Sequence, residues 1–450
     1  MSMWELRPMA AFLALALLLV PATAAANTTE DLLGLGTRTN AMGGAGTALA
    51  KDPTAVYFGP ASLAFCGRDI TSIDLAHTSY GLSAGLEPGD PQEKELRDQS
   101  RLTFGLCSLM PYGLAMGILF GMNLQDPMTM DTSSLSNEPQ FALYGDTLEQ
   151  LTIVVGGAWR PRDWISVGVG ASILVNSVLK LDSFIPVAQE EATFLSEIRW
   201  NLEPTAALHA SVHAVPVEDL HLAATYRGAL FHDLNAPASI DVLLAGIFLE
   251  VDLLLEAANW FSPQQFAFGA TYDPVGSVTL AADLTWYDWS AYKGPFIVAT
   301  PLGGDEAASR ALAFPPREDT TFTDIVQPRV GAEVRFLDDA LAVRAGYSFR
   351  PTPAPLPSGT ANLLDNSVHS FSFGMGYSLG PRLGEDHDRG VIAAEPFSMS
   401  VDAFLRLSHM PRRRVQRPAP TDPQDEGVLL DFDFGGSVLQ AGLGVSLGWE

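Results

Sequence analysis

The stretch LQAGLGVSLGW, residues Leu439–Trp449, decides the fold of this chain. Its large apolar residues and Ala441 occupy every second position, and the positions between them hold glutamine, serine or glycine. Successive side chains of a β-strand point to opposite faces of the sheet. The alternation therefore predicts a strand with one apolar face and one face of polar or small residues.

The same period of two recurs at Leu220–Arg227, Val278–Trp286 and Leu341–Arg350. Each segment is about as long as a tilted strand that crosses a membrane, which needs about 9–11 residues. A soluble β-sandwich also alternates, but its strands are usually about 5–6 residues long and their polar face meets water. Length and repetition together favour a transmembrane β-barrel.

The composition excludes several classes of protein. The 450 residues carry a net charge of −26, which opposes binding to nucleic-acid phosphates. Hydrophobic residues make up 47% of the chain and charged residues 17%, which indicates a folded protein. Two cysteines, Cys66 and Cys107, cannot make a disulfide framework, and the sequence leaves open whether they are bonded. We predict no metal and no cofactor.

The N-terminal segment has the layout of a cleavable signal peptide. Arg7 precedes an apolar run from Met9 to Val20, and three alanines stand before Asn27. No other apolar run approaches the roughly 20 residues that a membrane helix needs. We therefore expect a secreted protein with a signal peptide at 1–26 and no helical membrane span.

The spacing of the links between strands predicts how many strands the barrel has. Barrel strands in bacteria are joined by short turns on the periplasmic side and longer loops outside. Short links fall near Met110–Tyr112, Pro161–Asp163, Pro216–Glu218, Asp273–Gly276, Leu337–Asp339 and Pro381–Glu395, and seven longer links alternate with them. These links predict an all-β fold, a fourteen-stranded antiparallel transmembrane β-barrel. Ile240–Glu256 is assigned to the fourth outer loop, because a further strand there would break the even number.

The segment Asn27–Phe65 is too rich in glycine and too irregular for a wall strand. Its stretches Gly34–Arg38, Ala41–Ala50 and Asp52–Tyr57 resemble the N-terminal hatch of the FadL/TodX family of outer-membrane transporters of hydrophobic compounds. The resemblance continues in Leu280–Trp286, Asp288–Ser290, Arg329–Glu333 and Val343–Tyr347. One departure is Gly59-Pro60-Ala61, where the family has Asn-Pro-Ala. The last strand resembles the aromatic-ended closing strand of outer-membrane proteins, although Glu450 follows its final aromatic residue.

The resemblance implies a hatch at 27–65 that plugs a barrel at 66–450 in the bacterial outer membrane. The matched hatch residues are Gly43, Gly44, Gly46, Asp52, Pro53, Tyr57 and Pro60. It further implies inward transport of long-chain fatty acids or hydrocarbons, a lateral exit near the third strand, and assembly by the barrel-assembly machinery. Gly117 and Gly121 in that strand are the candidates for the exit, since glycine weakens strands and often marks a bulge.

Arginines provide two further predictions. Arg227, Arg344 and Arg350 lie in the inward phase of their strands and are candidates to bind a substrate carboxylate. The alternative is that they pair with lumen acids such as Asp283, Glu333 and Asp402, and a hydrocarbon substrate would need no cation.

A second arginine cluster falls in the last outer loop. Arg412, Arg413, Arg414 and Arg417 are candidates for binding the phosphates of lipopolysaccharide. A solvated loop, or pairing with Asp422, Asp425 and Glu426, is the alternative.

Two other functions compete with transport of hydrophobic compounds. An outer-membrane lipase would need a serine and a histidine within hydrogen-bond reach, and the sequence shows no nucleophile-elbow motif. A general porin or surface receptor would lack the segment Asn27–Phe65. His209 and His213 share one strand face but are too far apart for one metal, so we predict that they are polar residues of the lumen.

Overall fold

The structure is a computed structural model that describes residues 25–26, 29–85, 96–125, 140–144, 151–186, 195–244, 247–292, 297–304, 321–356, 363–379, 397–415 and 432–449. Nearly all of the predicted signal peptide therefore lies outside the described residues, as do Arg417, Asp422, Asp425 and Glu426. No helix within the described ranges is long and apolar enough to cross a membrane.

Fourteen antiparallel strands form the wall of a closed barrel. They are β1 (Asp69–Gly85), β2 (Gln99–Met110), β3 (Leu114–Asn123), β4 (Thr152–Arg162), β5 (Ile165–Pro186), β6 (Leu195–Val217), β7 (Leu220–Arg227), β8 (Gln265–Val275), β9 (Val278–Tyr287), β10 (Ile325–Phe336), β11 (Leu341–Arg350), β12 (Val368–Leu379), β13 (Phe397–Val415) and β14 (Phe432–Trp449). Each strand pairs with the next, and β14 pairs with β1 from Asp69↔Trp449 to Gly85↔Asp433. The predicted fold class and strand number are confirmed. Five of the six predicted short links join the expected strands, and the sixth lies outside the described residues.

The two faces of the wall follow the alternation in the sequence. In β14, Leu439 and Leu443 are exposed on the outside of the barrel, whereas Gln440 is buried inside it. Aromatic side chains are exposed beside the short turns, as in the interfacial girdles of membrane barrels: Tyr112, Trp159, Trp164, Tyr272, Phe336 and Trp449. The apolar outer face therefore matches a lipid environment.

The link between β7 and β8 carries a hairpin of its own, Leu230–Leu244 paired with Ile247–Ser262. This hairpin contains Ile240–Glu256, so the prediction that this segment lies outside the wall is confirmed. Part of it pairs in parallel with the end of β5, and Ile297–Gly304 pairs with its second strand. Three further strands are only two residues long: Ala25–Ala26, Gln140–Phe141 and Leu363–Leu364.

The hatch fills the lumen with short helices joined by tight turns. These are α1 (Thr29–Leu33), α2 (Thr37–Ala41), α3 (Ala55–Phe58) and a 3₁₀ helix at Pro60–Phe65. The wall holds the hatch by hydrogen bonds to its backbone and by ion pairs: Asp283 accepts from the Thr47 amide at 2.8 Å, and Arg38 Nε lies 3.1 Å from Glu333. Ser211 accepts from the Ala61 amide at 2.7 Å. The hatch is therefore bonded to several separate strands.

A disulfide between Cys66 and Cys107 joins the end of the hatch to β2. Both residues are fully buried. The structure thus answers the question that the sequence left open. The hatch is held covalently at its C-terminal end and by polar contacts over the rest of its length.

Glycines allow the hatch backbone to touch the wall. Gly43 has a φ of 72°, which favours glycine, and its turn lies directly against β10 and β11. A Cβ on Gly331 would lie 2.5 Å from the carbonyl oxygen of Met42, and a Cβ on Gly346 would overlap the backbone nitrogen of Gly43. Backbone atoms cannot rotate away as a side chain can. The close contact between the hatch and the wall therefore requires glycine on both sides.

We predict that Gly346→Ala unseats this turn of the hatch. The added methyl group should cost about 1–3 kcal/mol, as overpacking does in other cores. Ionic conductance of the variant in planar bilayers should rise above that of the wild type, because the plug no longer fills its place. Gly276→Ala is the matched control, since a Cβ there meets nothing within 4 Å. Equal conductance of the two variants would contradict the prediction.

Candidate functional site: the substrate passage

Buried apolar side chains from the outer links cover the hatch at the outer end of the barrel. At the centre of this outer cluster the rings of Phe261 and Tyr292 stack with centroids 4.9 Å apart, and Phe322 meets Tyr292 at 4.8 Å. The cluster comprises Leu32, Leu33, Leu82, Ala84, Phe141–Tyr144, Phe261, Tyr287, Trp289, Tyr292, Phe322, Ile325, Leu363, Leu364, Val368, Met410, Val415, Phe432, Phe434 and Val438. An aromatic and aliphatic lining of this kind suits a hydrophobic solute.

A lid crosses this outer cluster, formed by residues 140–144 of the second outer link and 363–365 of the sixth. Gln140–Phe141 pairs in parallel with Leu363–Leu364, and the Ala142 amide donates to the Leu364 carbonyl at 2.9 Å. Phe141–Tyr144 is buried throughout. Arg350 at the end of β11 donates two hydrogen bonds of 2.9 Å to Asp365. One bidentate ion pair therefore fixes the lid to the wall.

The three arginines that the sequence singled out all lie in the lumen, and each contacts a carboxylate. Arg344 Nε lies 2.6 Å from Glu333, and its Nη1 also contacts Asp402. Arg350 pairs with Asp365 as described above. The alternative raised at the sequence level, internal pairing with Glu333 and Asp402, thus describes the contacts of Arg344.

Arg227 connects the wall to the hatch. Its guanidinium lies 3.8 Å from Asp31, donates to the Tyr57 carbonyl at 3.2 Å and covers the Tyr57 ring at 4.6 Å. The sequence did not indicate Asp31 or Asp365 as partners. A role for the three arginines toward a substrate carboxylate stays a prediction.

Solved structures share the fold of this chain. A FadL homologue from Pseudomonas aeruginosa aligns over 95% of this chain and 98% of its own, at 14% identity and a TM-score of 0.53. The toluene transporter TodX of P. putida aligns over 92% of this chain and 99% of its own, at 14% identity and a TM-score of 0.52. The chain has the FadL/TodX-type transporter fold. No family model and no curated protein matches the sequence.

The hatch residues expected from the FadL/TodX-type fold have distinct packing roles. Asp52 accepts from the Thr54 amide at 2.8 Å, and the Tyr57 hydroxyl donates to Asp31 at 2.9 Å. The others make close contacts: Gly44 with Arg329, Gly46 with Phe58, Pro53 with Gly105 and Pro60 with Gly170. These contacts hold the hatch in shape.

The departure at Gly59 has a structural counterpart. A Cβ at this position would lie 2.7 Å from the Thr225 hydroxyl of β7. Thr225 is buried, and its hydroxyl has no hydrogen-bond partner within the described part of the chain. Thr225 of the wall therefore occupies the space that the side chain of an asparagine at position 59 would need.

The glycines of the third strand face inward, as the sequence predicts. A Cβ on Gly117 would lie 2.7 Å from Leu63 of the hatch, and a Cβ on Gly121 would meet the guanidinium of Arg101. Both neighbours pair with β3 without a register shift from Leu114 to Gly121. The two glycines make room for the hatch and for an arginine that holds it, because Arg101 pairs with Glu30 of α1.

A buried serine and histidine lie within hydrogen-bond reach, a contact that the sequence did not indicate. Ser62 Oγ is 2.7 Å from His213 Nδ1, His213 Nε2 is 2.9 Å from His221 Nδ1, and His221 Nε2 is 3.0 Å from Lys51 Nζ. The Lys51 ammonium donates to His221. His221 therefore donates to His213, and His213 donates to the Ser62 hydroxyl, which accepts. A catalytic triad needs a carboxylate there to stabilise the imidazolium. The arrangement therefore suits packing of the hatch rather than activation of the serine.

The histidines are polar residues of the lumen, as predicted. His209 lies 3.0 Å from Ser172 Oγ and is buried, as is His213. The described residues contain no group of three or more His, Cys, Asp or Glu side chains that could hold a metal ion.

Arg412, Arg413 and Arg414 lie at the end of β13 and not in the last outer loop, where the sequence placed them, because the strand continues to Val415. Arg412 hydrogen-bonds to Ser83 and lies 3.7 Å from Asp433, with 56% of its side chain exposed. Arg414 is also exposed, and Arg413 is half-buried. A bulge lies between Met410 and Arg413, just before these arginines.

We predict that Asp365→Asn loosens the lid. It removes the carboxylate of a buried ion pair and leaves Arg350 without its partner, a loss of about 3–5 kcal/mol in comparable pairs. Chymotrypsin should then cleave faster after Phe141, Leu143 or Tyr144, and Edman sequencing of the fragments identifies the bond. Asp339→Asn is the control, because its 3.3 Å ion pair with Arg335 lies at a half-exposed turn. Cleavage rates that match the control would disprove the role of the ion pair.

Proposed function

We propose that the protein is an outer-membrane channel for the passive uptake of hydrophobic compounds, long-chain fatty acids or hydrocarbons. The observation that carries this proposal is the outer apolar cluster, which lies directly over the hatch of a FadL/TodX-type fold. Two similar structures are described as a monoaromatic hydrocarbon channel and a toluene transporter. The outer cluster binds a hydrophobic solute, whereas the polar lumen of a porin would not.

The barrel spans the bacterial outer membrane, and the barrel-assembly machinery inserts it through its closing strand. A closed barrel leaves no unpaired strand edge in lipid, so it is stable there. The solute moves down its concentration gradient. Neither a metal nor a cofactor takes part.

The plugged lumen argues against a general porin. Two of the cavities that border the hatch in the described part of the chain each have a volume of about 20 Å³, which holds about one water molecule. A porin needs a continuous water-filled channel. The plug is therefore compatible with a solute that avoids the aqueous route.

The protein acts without catalysis. The Ser62–His213 pair is the contact that a lipase would use, but both residues are buried, and the position of a triad carboxylate is taken by His221, which contacts Lys51. These features support transport over hydrolysis.

Removal of the hatch tests the proposal. Deleting Asn27–Ala64, together with Cys66→Ser and Cys107→Ser to avoid free thiols, should leave a barrel that still shows heat-modifiable migration, because the wall closes its own backbone bonds. Uptake of a radiolabelled fatty acid or toluene should lose its preference over polar solutes of similar size, and ionic conductance should rise. The full chain with Cys66→Ser and Cys107→Ser is the control. Undiminished selective uptake by the deletion variant would refute the proposal.

The solute leaves sideways near Gly117 and Gly121 in β3. These inward-facing glycines give the strand little side-chain packing of its own, and the hatch residue Leu63 lies against Gly117. Movement of Leu63 would leave this part of the wall unsupported. The exit then leads into lipid rather than into the lumen.

We predict that replacing Gly117 and Gly121 with valine reduces uptake while binding at the outer cluster persists. Valine strengthens strand packing and blocks the exit. Because valine at 117 also meets Leu63, the same variant with Leu63→Ala separates crowding of the hatch from closure of the exit. Uptake that recovers fully in the triple variant, or ligand binding that falls with uptake, would count against a lateral exit here.

Arg412, Arg413, Arg414 and Arg417 bind lipopolysaccharide phosphates. We predict that changing all four to Glu weakens co-purification of lipopolysaccharide and leaves heat-modifiable migration intact, since Arg412 and Arg414 are exposed. Changing Arg160 and Arg162 to Glu at a short turn is a control for charge reversal at the opposite end of the barrel. Unchanged lipopolysaccharide retention would exclude this role.

A further inference from the structure

The 3₁₀ helix Pro60–Phe65, which we call the exit cover, lies against a row of glycines in the wall. Gly117 of β3, Gly156 of β4 and Gly170 of β5 pair with one another in register across the three strands. A Cβ on Gly117 would lie 2.7 Å from Leu63. The exit cover therefore fills the space that side chains of the wall would otherwise occupy.

The disulfide between Cys66 and Cys107 fixes the end of the exit cover beside this row. Cys66 is the residue that follows the 3₁₀ helix, and Cys107 of β2 pairs directly with Gly117 in the sheet. The sulfur of Cys107 also lies 3.7 Å from the carbonyl oxygen of Leu63. The covalent anchor is therefore at the proposed exit itself rather than at a distant part of the wall.

On its other side the exit cover is held by hydrogen bonds. The Ala61 amide donates to Ser211 Oγ at 2.7 Å, and Ser166 Oγ donates to the Ala61 carbonyl at 2.7 Å. Hydrogen bonds of this kind contribute about 0.5–1.5 kcal/mol each, so thermal motion breaks and remakes them. The disulfide does not open in this way. When the exit cover moves, it therefore moves about Cys66.

The disulfide halves the length of chain on which Leu63 can move. Leu63 is three residues from Cys66 and six residues from Asp69, the first residue of β1. An extended chain spans about 3.3–3.6 Å per residue, so this tether reaches about 10 Å with the bond and about 20 Å without it. The disulfide therefore limits how far Leu63 can withdraw from Gly117.

We infer that the disulfide determines which solutes leave through the lateral exit, because it restricts the exit cover to small displacements. This inference rests on the proposed function and narrows its substrates to slender molecules such as unbranched chains. A compact but wide molecule requires Leu63 to withdraw farther than the tether allows. Cys66 and Cys107 are thus positioning residues that select solutes by their width.

Uptake of radiolabelled decane and adamantane by cells that lack other hydrocarbon channels tests this selection. Both solutes are saturated hydrocarbons with the same number of carbon atoms, one a chain and the other a cage. Wild type should take up decane preferentially. Cys66→Ala together with Cys107→Ala should raise adamantane uptake about threefold, because doubling a tether enlarges the space open to its end by about that factor. Decane uptake should change less.

Two insertions test the tether while the disulfide is intact. Two glycines inserted between Phe65 and Cys66 lengthen the tether and should also raise adamantane uptake. The same insertion between Cys66 and Gly67 lies beyond the bond, so it leaves the tether unchanged and is the matched control. Thiol labelling after denaturation verifies the disulfide in both proteins, and heat-modifiable migration verifies that each barrel has folded.

The outcomes that would overturn the inference can be told apart. Adamantane uptake that stays at the wild-type level without the disulfide shows that the bond does not limit the exit. An equal rise in both insertion variants shows a general loosening of the hatch instead of a longer tether. Equal uptake of the two solutes by wild type removes selection by width and leaves the proposed function standing. Failure of wild type to take up either solute defeats the proposed function as well.

Discussion

Closure of the wall by the pairing of β1 with β14 is the constraint on which the rest of the structure depends. In lipid a backbone N–H or C=O without a partner costs several kcal/mol, so each strand must have two neighbours. Closure creates an interior that lipid cannot reach, and polar side chains are therefore tolerated there. The hatch occupies this interior and uses the polar groups of the wall as its own hydrogen-bond partners.

The electrostatics of the lumen follow from that arrangement. Arg38 of the hatch and Arg344 of the wall share Glu333, and Arg101 holds Glu30. Each pair compensates charges that water would otherwise solvate. Among the described residues the same packing brings no carboxylate into an ion pair with Arg406, so charge compensation in the lumen is uneven.

The sequence predicted the strands and the hatch because both depend on local pattern. The alternation in Leu341–Arg350 requires a two-faced strand wherever it is placed, and the glycine-rich turn at Gly43 resembles a known segment. The contacts between the hatch and the strands could not be predicted from this pattern. Ser62 and His213 are separated by 151 positions, and their contact depends on how deep the hatch sits. The phase of β13 places Arg406 inside, but the phase of one strand does not say which side chain faces it.

The lid shows the same limit in its ion pair. The alternation of β11 shows that Arg350 faces inward. Asp365 lies in an outer link, and no periodic pattern predicts the path of that link. The cluster of rings formed by Phe261, Tyr292 and Phe322 likewise joins two links, since Phe261 lies in the fourth outer link and the other two lie in the fifth. These contacts depend on which residues of distant segments lie opposite each other. The pattern of a single sequence does not show this.

The disulfide between Cys66 and Cys107 also bears on how the hatch stays attached to the wall. Both sulfur atoms are sealed between hatch and wall, where no oxidant or partner thiol can approach them. In the folded barrel the bond is therefore shielded from reductants outside. A chain that reached this fold without the bond would hold its plug by polar contacts alone, and the wall and the hatch would then be joined only through the backbone between Phe65 and Asp69.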